Sequence, residues 1–129
     1  MNYPIQIILT RQLAGYLSVP LFLVDSAGDL IFYNEPAEEI LGSRFEETGS
    51  LPLEKWWSAH VRFDEDGKPI NRANHPLLIA LAEKRPAYKR YRIHGGDGTT
   101  RQIEATCIPI KGLQGELLGA VAIFWELAS

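Results

Sequence analysis

The sequence predicts an α+β domain: an antiparallel sheet whose strands lie at both ends of the chain, with short helices gathered between them. Three observations carry this. Two β-rich runs, LFLVD and DLIFYN, flank a turn at Ser26-Ala27-Gly28-Asp29. Three longer runs of strand type, YKRYRIH, TTRQIEATCIPI and LLGAVAIFWEL, close the chain through turn-rich connections. Between these sets lie short helical segments bounded by Pro and Gly. Strands joined by tight turns pair antiparallel, and helices collected in the middle give α+β rather than βαβ units.

In chain order, residues 5–17 place Ile5, Ile8, Leu9, Leu13 and Tyr16 at helical spacing, with Gln6, Arg11 and Gln12 between them. This is an amphipathic helix, interrupted at Gly15 and stopped before Pro20. The hairpin follows, with Gly28 taking the positive φ of its turn. Asn34 is the N-cap of a helix over 36–41, with Pro36 in its first turn and Gly42 at its C′ position. Residues 43–70 are less regular, with a short helix over Leu53 to His60 and a turn on Asp66-Gly67. Pro76 starts the helix PLLIALAEK, apolar on nearly every side and so expected to be buried; Pro86 ends it.

Strand parity adds detail. Ile103, Ala105 and Cys107 share one face of their strand, opposite Gln102, Glu104 and Thr106. Tyr91 and Ile93 oppose Arg90, Arg92 and His94. The last strand is apolar on both faces, with Leu118, Ala120, Ala122 and Phe124 on one and Val121, Ile123 and Trp125 on the other. Such a strand needs cover on both sides. The middle helices supply one cover; the N-terminal helix or a second subunit supplies the other.

The chain has the length of one domain, 129 residues, and ordinary globular composition. A net charge of −3 gives no reason to expect nucleic acid or an anionic membrane as partner. Acids concentrate in residues 25–66 and bases in residues 84–101, which reads as two solvated faces or a charge-paired partner surface. Cys107 is the only cysteine, so no intrachain disulfide forms, as expected in the reducing cytoplasm. The N-terminus lacks a basic region before its apolar stretch, and no run approaches the ~18 apolar residues of a membrane span.

The order and spacing of these features resemble the PAS domain family over roughly residues 18–127. LFLVDSAGDLIFYNEPAEEILG looks like that family's first hairpin and helix, with Asp25, Gly28, Asn34, Ala37 and Gly42 in place. DEDGKPINRANHPLLIALAEKRP resembles the segment before the third strand in bacterial sensor-kinase members, marked by Pro76-Leu77 and Ala80-Leu81. Gly98, Pro109, Gly115 and Gly119 match the two C-terminal hairpins. Glu126-Leu127-Ala128 stands where the family often has Asp-Ile-Thr, keeping the acid and losing the hydroxyl. The resemblance implies a five-stranded sheet cupping short helices, with residues 1–17 as a separate N-terminal helix and 18–129 as the PAS domain. It also implies a pocket that holds haem, flavin, small acids, lipids or nothing.

Several chemistries are tested by residue spacing. His60, His75 and His94 show no ligand spacing and read as surface histidines, His75 also as an N-cap. Cys107 lies on an apolar strand face, whereas the light-sensing branch carries its reactive cysteine in a helix with an Asn-Cys-Arg core; inert packing is the reading. Ile93, Ile103 and Phe124 stand where a flavin ring edge needs polar side chains. Haem and flavin are therefore expected to be absent, and the cofactor is unknown. Asp64-Glu65-Asp66-Gly67 lacks calcium-loop spacing, and Gly95-Gly96-Asp97-Gly98 lacks the P-loop Lys. No acid–His–nucleophile set is readable. Trp56 and Trp57 are adjacent and cannot share a helix face.

The expected function is a non-enzymatic sensory module, taking a small apolar or weakly polar ligand and relaying through its last strand to a histidine kinase or transcription regulator. Parity and family pocket positions place the ligand among Phe22, Val24, Tyr91, Ile93, Ile103, Ala105, Cys107, Ala120, Ala122 and Phe124, closed by Leu77 and Leu81, with the Tyr91 hydroxyl as the clearest polar group. A homodimer is expected on Ile5, Ile8, Leu9 and Leu13 with Val121, Ile123 and Trp125. The alternatives are a ligand-free dimerisation module and a small α+β enzyme. The enzyme needs a carboxylate or His on an apolar strand face, where only Lys89 and Glu126 stand, both near strand ends.

Overall fold

The computed structural model describes residues 3–96 and 98–127. Helix α1 (Ile5–Ala14) leads into β1 (Leu21–Asp25) and β2 (Leu30–Tyr33). Then come α2 (Glu35–Leu41), α3 (Phe45–Thr48), α4 (Leu53–Ser58), β3 (Val61–Phe63), a 3₁₀ turn (Arg72–Asn74) and α5 (Pro76–Glu83). Strands β4 (Ala87–His94), β5 (Thr100–Lys111) and β6 (Leu117–Glu126) complete it.

The strands form one antiparallel sheet in the order β2-β1-β6-β5-β4-β3. It has six strands where five were expected. The sixth, β3, pairs Val61, Arg62 and Phe63 with His94, Ile93 and Arg92. It went unread because it is three residues long and carries its charged residue inward. The two-sided strand β6 sits between β1 and β5, with Ala120 to Ala122 and Phe124 buried and Trp125 left exposed near its end.

Local chemistry sets the element ends. The Asn34 side chain accepts from the Ala37 N–H at 3.3 Å and caps α2. It also accepts from Leu21 N and donates to the carbonyls of Ala14 and Val19, tying the end of α1 to the start of β1. Gly42 closes α2 in the left-handed region at φ 80°. Gly96 docks there, its N–H donating to Ile40 O at 2.7 Å; a Cβ on Gly96 would fall on Leu41 O.

The sheet divides the core in two. Its concave face packs against α2, α4 and α5 around Val24, Tyr33, Trp56, Leu77, Tyr91, Ile103, Cys107 and Phe124. Its convex face meets α1 through Ile7, Ala14, Leu21, Leu23, Ile31 and Val121. The expected apolar stripe of α1 is thus not the one that packs. Ile5, Ile8, Leu9, Leu13 and Tyr16 are exposed, and Ile7 and Ala14 are buried. Leu118 joins the convex cluster, not the concave face that strict alternation assigns it. It lies at a register shift beside Ile110/Lys111, and such an irregularity breaks the alternation. Helix α5 is not buried all round: Pro76, Leu77 and Ala80 face the core, while Ala82 and Glu83 are exposed.

Candidate ligand cavity

A cavity of about 40 Å³ lies under the concave face. The sheet contributes Phe22, Val24, Leu30, Arg62, Ile93, Ala122 and Phe124. The helices and loops contribute Ile40, Leu41, Trp56, His60, His75 and Leu77. Of the residues expected around a pocket, Phe22, Val24, Leu77, Ile93, Ala122 and Phe124 line this space. Tyr91, Ile103, Ala105, Cys107 and Ala120 are buried in the same core, and Leu81 packs against it, without lining the cavity.

The side chains that sequence reasoning missed are the polar ones. His60 and His75 are buried, not surface residues, and Arg62 is only 7% exposed. His94 alone of the three histidines is exposed, beside the Thr100 hydroxyl. The period-2 run His60-Val61-Arg62-Phe63 was the available signal for Arg62, because Val61 turns out and Arg62 in.

Each of these groups is held by its neighbours. The Arg62 guanidinium donates from Nη1 to the carbonyls of Trp57 and His60 and from Nη2 to that of Trp56. These carbonyls belong to the end of α4 and the turn after it, where the helix dipole is negative. Arg62 also lies 4.7 Å from the Trp57 ring and 5.6 Å from that of Trp56. Trp56 is fixed in turn by its indole N–H, which donates to Gly28 O at 2.9 Å.

His75 fulfils the expected capping role, Nδ1 accepting from Leu77 N at 3.3 Å. That bond puts its proton on Nε2. Burial, then the Arg62 charge, push its pKa down to about 3. Burial, then Arg62, also lower His60, whose Nε2 contacts Ile40 O at 3.2 Å. Burial pulls Arg62 itself down and pushes the Cys107 thiol well up. The Tyr91 phenol is raised chiefly by burial, and Arg62 opposes that shift. Its hydroxyl is buried without a hydrogen-bond partner among the described residues.

An aromatic chain joins these groups to the sheet. Trp57, His75, Tyr91, Phe124, Phe22 and Tyr33 follow one another with ring centroids 4.8–6.4 Å apart. Chemically the site offers positive charge and N–H donors against apolar walls. Arg62 does not give up its proton, and His75 stays neutral near pH 7. Ile93, Ile103 and Phe124, which stand where a flavin ring edge would need polar side chains, are buried hydrocarbon.

The chain matches the family model described as PAS fold over residues 16–129. No curated protein matches it. Among solved structures it resembles the PAS domain of a Colwellia psychrerythraea protein: TM-score 0.63, 21% identity, covering 93% of this chain and 97% of that one. It is also similar to the Rhodobacter sphaeroides LOV protein, with TM-score 0.72, 19% identity and coverage of 97% and 69%. The PAS domain of the fruit-fly ELK potassium channel gives TM-score 0.68, 11% identity and 98% coverage of both chains. At these identities the structures speak for the fold alone, and the family model covers most of the sequence. The chain belongs to the PAS fold family, a family of sensory and signalling modules.

Proposed function

We propose that this chain is a ligand-sensing relay module of a cytoplasmic bacterial signalling protein, acting on a histidine kinase or transcription regulator. The observation that carries this is the position of β6. Ala122 and Phe124 line the cavity, while Val121 and Ile123 of the same strand belong to the convex cluster under α1. A ligand that repacks one face displaces the other and the chain that leaves at Glu126. In this reading residues 1–17 form a cap and dimerisation helix on the PAS domain of residues 18–129. A second copy would dock on the exposed face of α1, at Ile5, Ile8, Leu9 and Leu13. Of the expected convex stripe only Trp125 would add to it, because Val121 is already covered and Ile123 is half-buried.

The small cavity favours a second reading, a ligand-free dimerisation module. Native mass spectrometry of freshly purified protein separates the two. Sensing predicts a bound non-covalent mass, or one acquired from a metabolite extract. A chain that stays bare in both preparations supports the ligand-free reading.

A further inference from the structure

The concave core buries a cation with no carboxylate beside it. Arg62 takes part in none of the ion pairs found among the described residues, and no Asp or Glu lines the cavity. A guanidinium carries five N–H donors. Three of them go to the backbone carbonyls of Trp56, Trp57 and His60. The Nε–H and the remaining Nη2–H find no acceptor among the described residues. A carboxylate can take an arginine's Nε–H and an Nη2–H together in two parallel bonds. Carbonyl dipoles and two indole faces offset part of the charge, and no carboxylate among the described residues pairs with it. Two further donors stand close by. The Tyr91 hydroxyl is buried with no partner among the described residues, and the His75 ring, 6.1 Å from the Tyr91 ring, keeps its Nε2 proton.

We propose that the cavity takes a small monocarboxylate. Its oxygens would accept from the N–H groups of Arg62 that have no acceptor among the described residues, and its alkyl body would lie against Phe22, Ile93 and Phe124. This deepens the sensing reading and rests on it. The volume sets the size class. Space of about 40 Å³ compares with roughly 10–15 Å³ for one water on the same measure. That is room for a few non-hydrogen atoms, the scale of acetate or propionate. The chemistry is recognition only, since the site holds the anion by charge and N–H bonds and breaks no bond in it.

The test titrates the full chain with propionate and, separately, with its neutral analogue propionamide, followed by amide and arginine Nε NMR signals. Propionate is expected to shift Ile93 and Leu77 and to move the Arg62 Nε–H signal, while propionamide does neither. Arg62→Lys keeps the charge and loses the two-point edge, so it should bind propionate about tenfold more weakly or worse. If that variant does not fold, the wild-type Nε signal decides. Equal binding of the acid and the amide overturns the proposal, as does a folded Arg62→Lys that binds like wild type, which would leave Arg62 as a cap for α4 alone. Entry of small neutral fragments without propionate would sink the carboxylate and leave sensing intact. Failure of every probe to enter would count against both.

Discussion

The two faces of the sheet are packed by different chemistry. On the convex side, Ile7 and Ala14 of α1 close over Leu21, Leu23, Ile31 and Val121, and none of the buried charged or titratable side chains lies among them. On the concave side the same strands meet His60, Arg62, His75 and Tyr91 along with their hydrocarbon neighbours. A purely apolar contact explains itself, since its stability grows with the area removed from water. Desolvated basic groups do not, because each opposes burial and is retained only when something else compensates. The convex face therefore reads as cover, and the concave face holds the buried basic groups on which the proposed site rests.

The largest effect expected from that contrast is in core truncation. Both Ile103→Ala and Ile7→Ala delete buried side chains, and such deletions cost about 2–5 kcal/mol. Ile103 is clamped between β4 and β6, in walls that cannot close on the gap. Ile7 lies on a terminal helix that can settle or detach. Urea unfolding should put Ile103→Ala at the upper end and Ile7→Ala at the lower. The reverse order would mean that α1 is as integral to the fold as the sheet.

Acid should separate the faces next. Folded His75 is held at about 3, below its ordinary value near 6.5. The folded state then binds fewer protons than the unfolded one. The stability it contributes is fully present above about pH 6.5 and is lost as the pH falls toward 3. One such group costs about 1.4 kcal/mol per pH unit, so roughly 2 kcal/mol by about pH 5. Buried His60 is lowered as well and acts in the same direction. His75→Asn keeps an N-cap acceptor and removes the titration. Urea midpoints followed from neutral to mildly acid pH should fall less steeply in His75→Asn than in wild type. Ile7→Ala, on the other face, should keep the wild-type slope. A His75→Asn profile parallel to wild type would place the acid sensitivity elsewhere.

Sequence legibility divides along the same line. The hairpin through Gly28, the cap at Asn34 and the close of α2 at Gly42 could be read because their signals are local. Each depends on residues within a few positions. The inward faces of β4 and β5 could be read because parity survives without knowing the partner. Arg62 had only the three-residue parity of β3 as a signal and His75 had none, since their burial depends on Trp56, Trp57 and Tyr91 arriving from other elements. Helix α1 misled for a different reason: it carries two apolar stripes. The larger, through Ile5, Ile8, Leu9 and Leu13, dominates the periodicity. The packed one is Ile7 and Ala14, flanked by Tyr3 and Leu17 just outside the helix, and small Ala14 lets the helix approach the sheet.

That second stripe makes the smallest effect on stability the most informative about assembly. Leu9 is 56% exposed on the outer face of α1. Leu9→Lys should change unfolding free energy by no more than about 0.5 kcal/mol, because the side chain already meets water. If two chains pair through this face, the same substitution acts on the association instead. A two-fold interface uses each residue twice, so two leucines lose their contact and two ammonium groups enter an apolar seam. Full burial of a leucine contributes roughly 1.5–3 kcal/mol, and Leu9 has about half of its surface left to bury, so the lost contact alone is about half that value per chain. Trp125→Glu, 44% exposed on β6, tests the one residue of the convex stripe left open. Sedimentation equilibrium should show wild type as a dimer and Leu9→Lys as a monomer with unchanged urea midpoint. A wild type that stays monomeric at high concentration would remove the second copy from the convex side. On the proposed sensing reading, relay through β6 would then have to act within one chain.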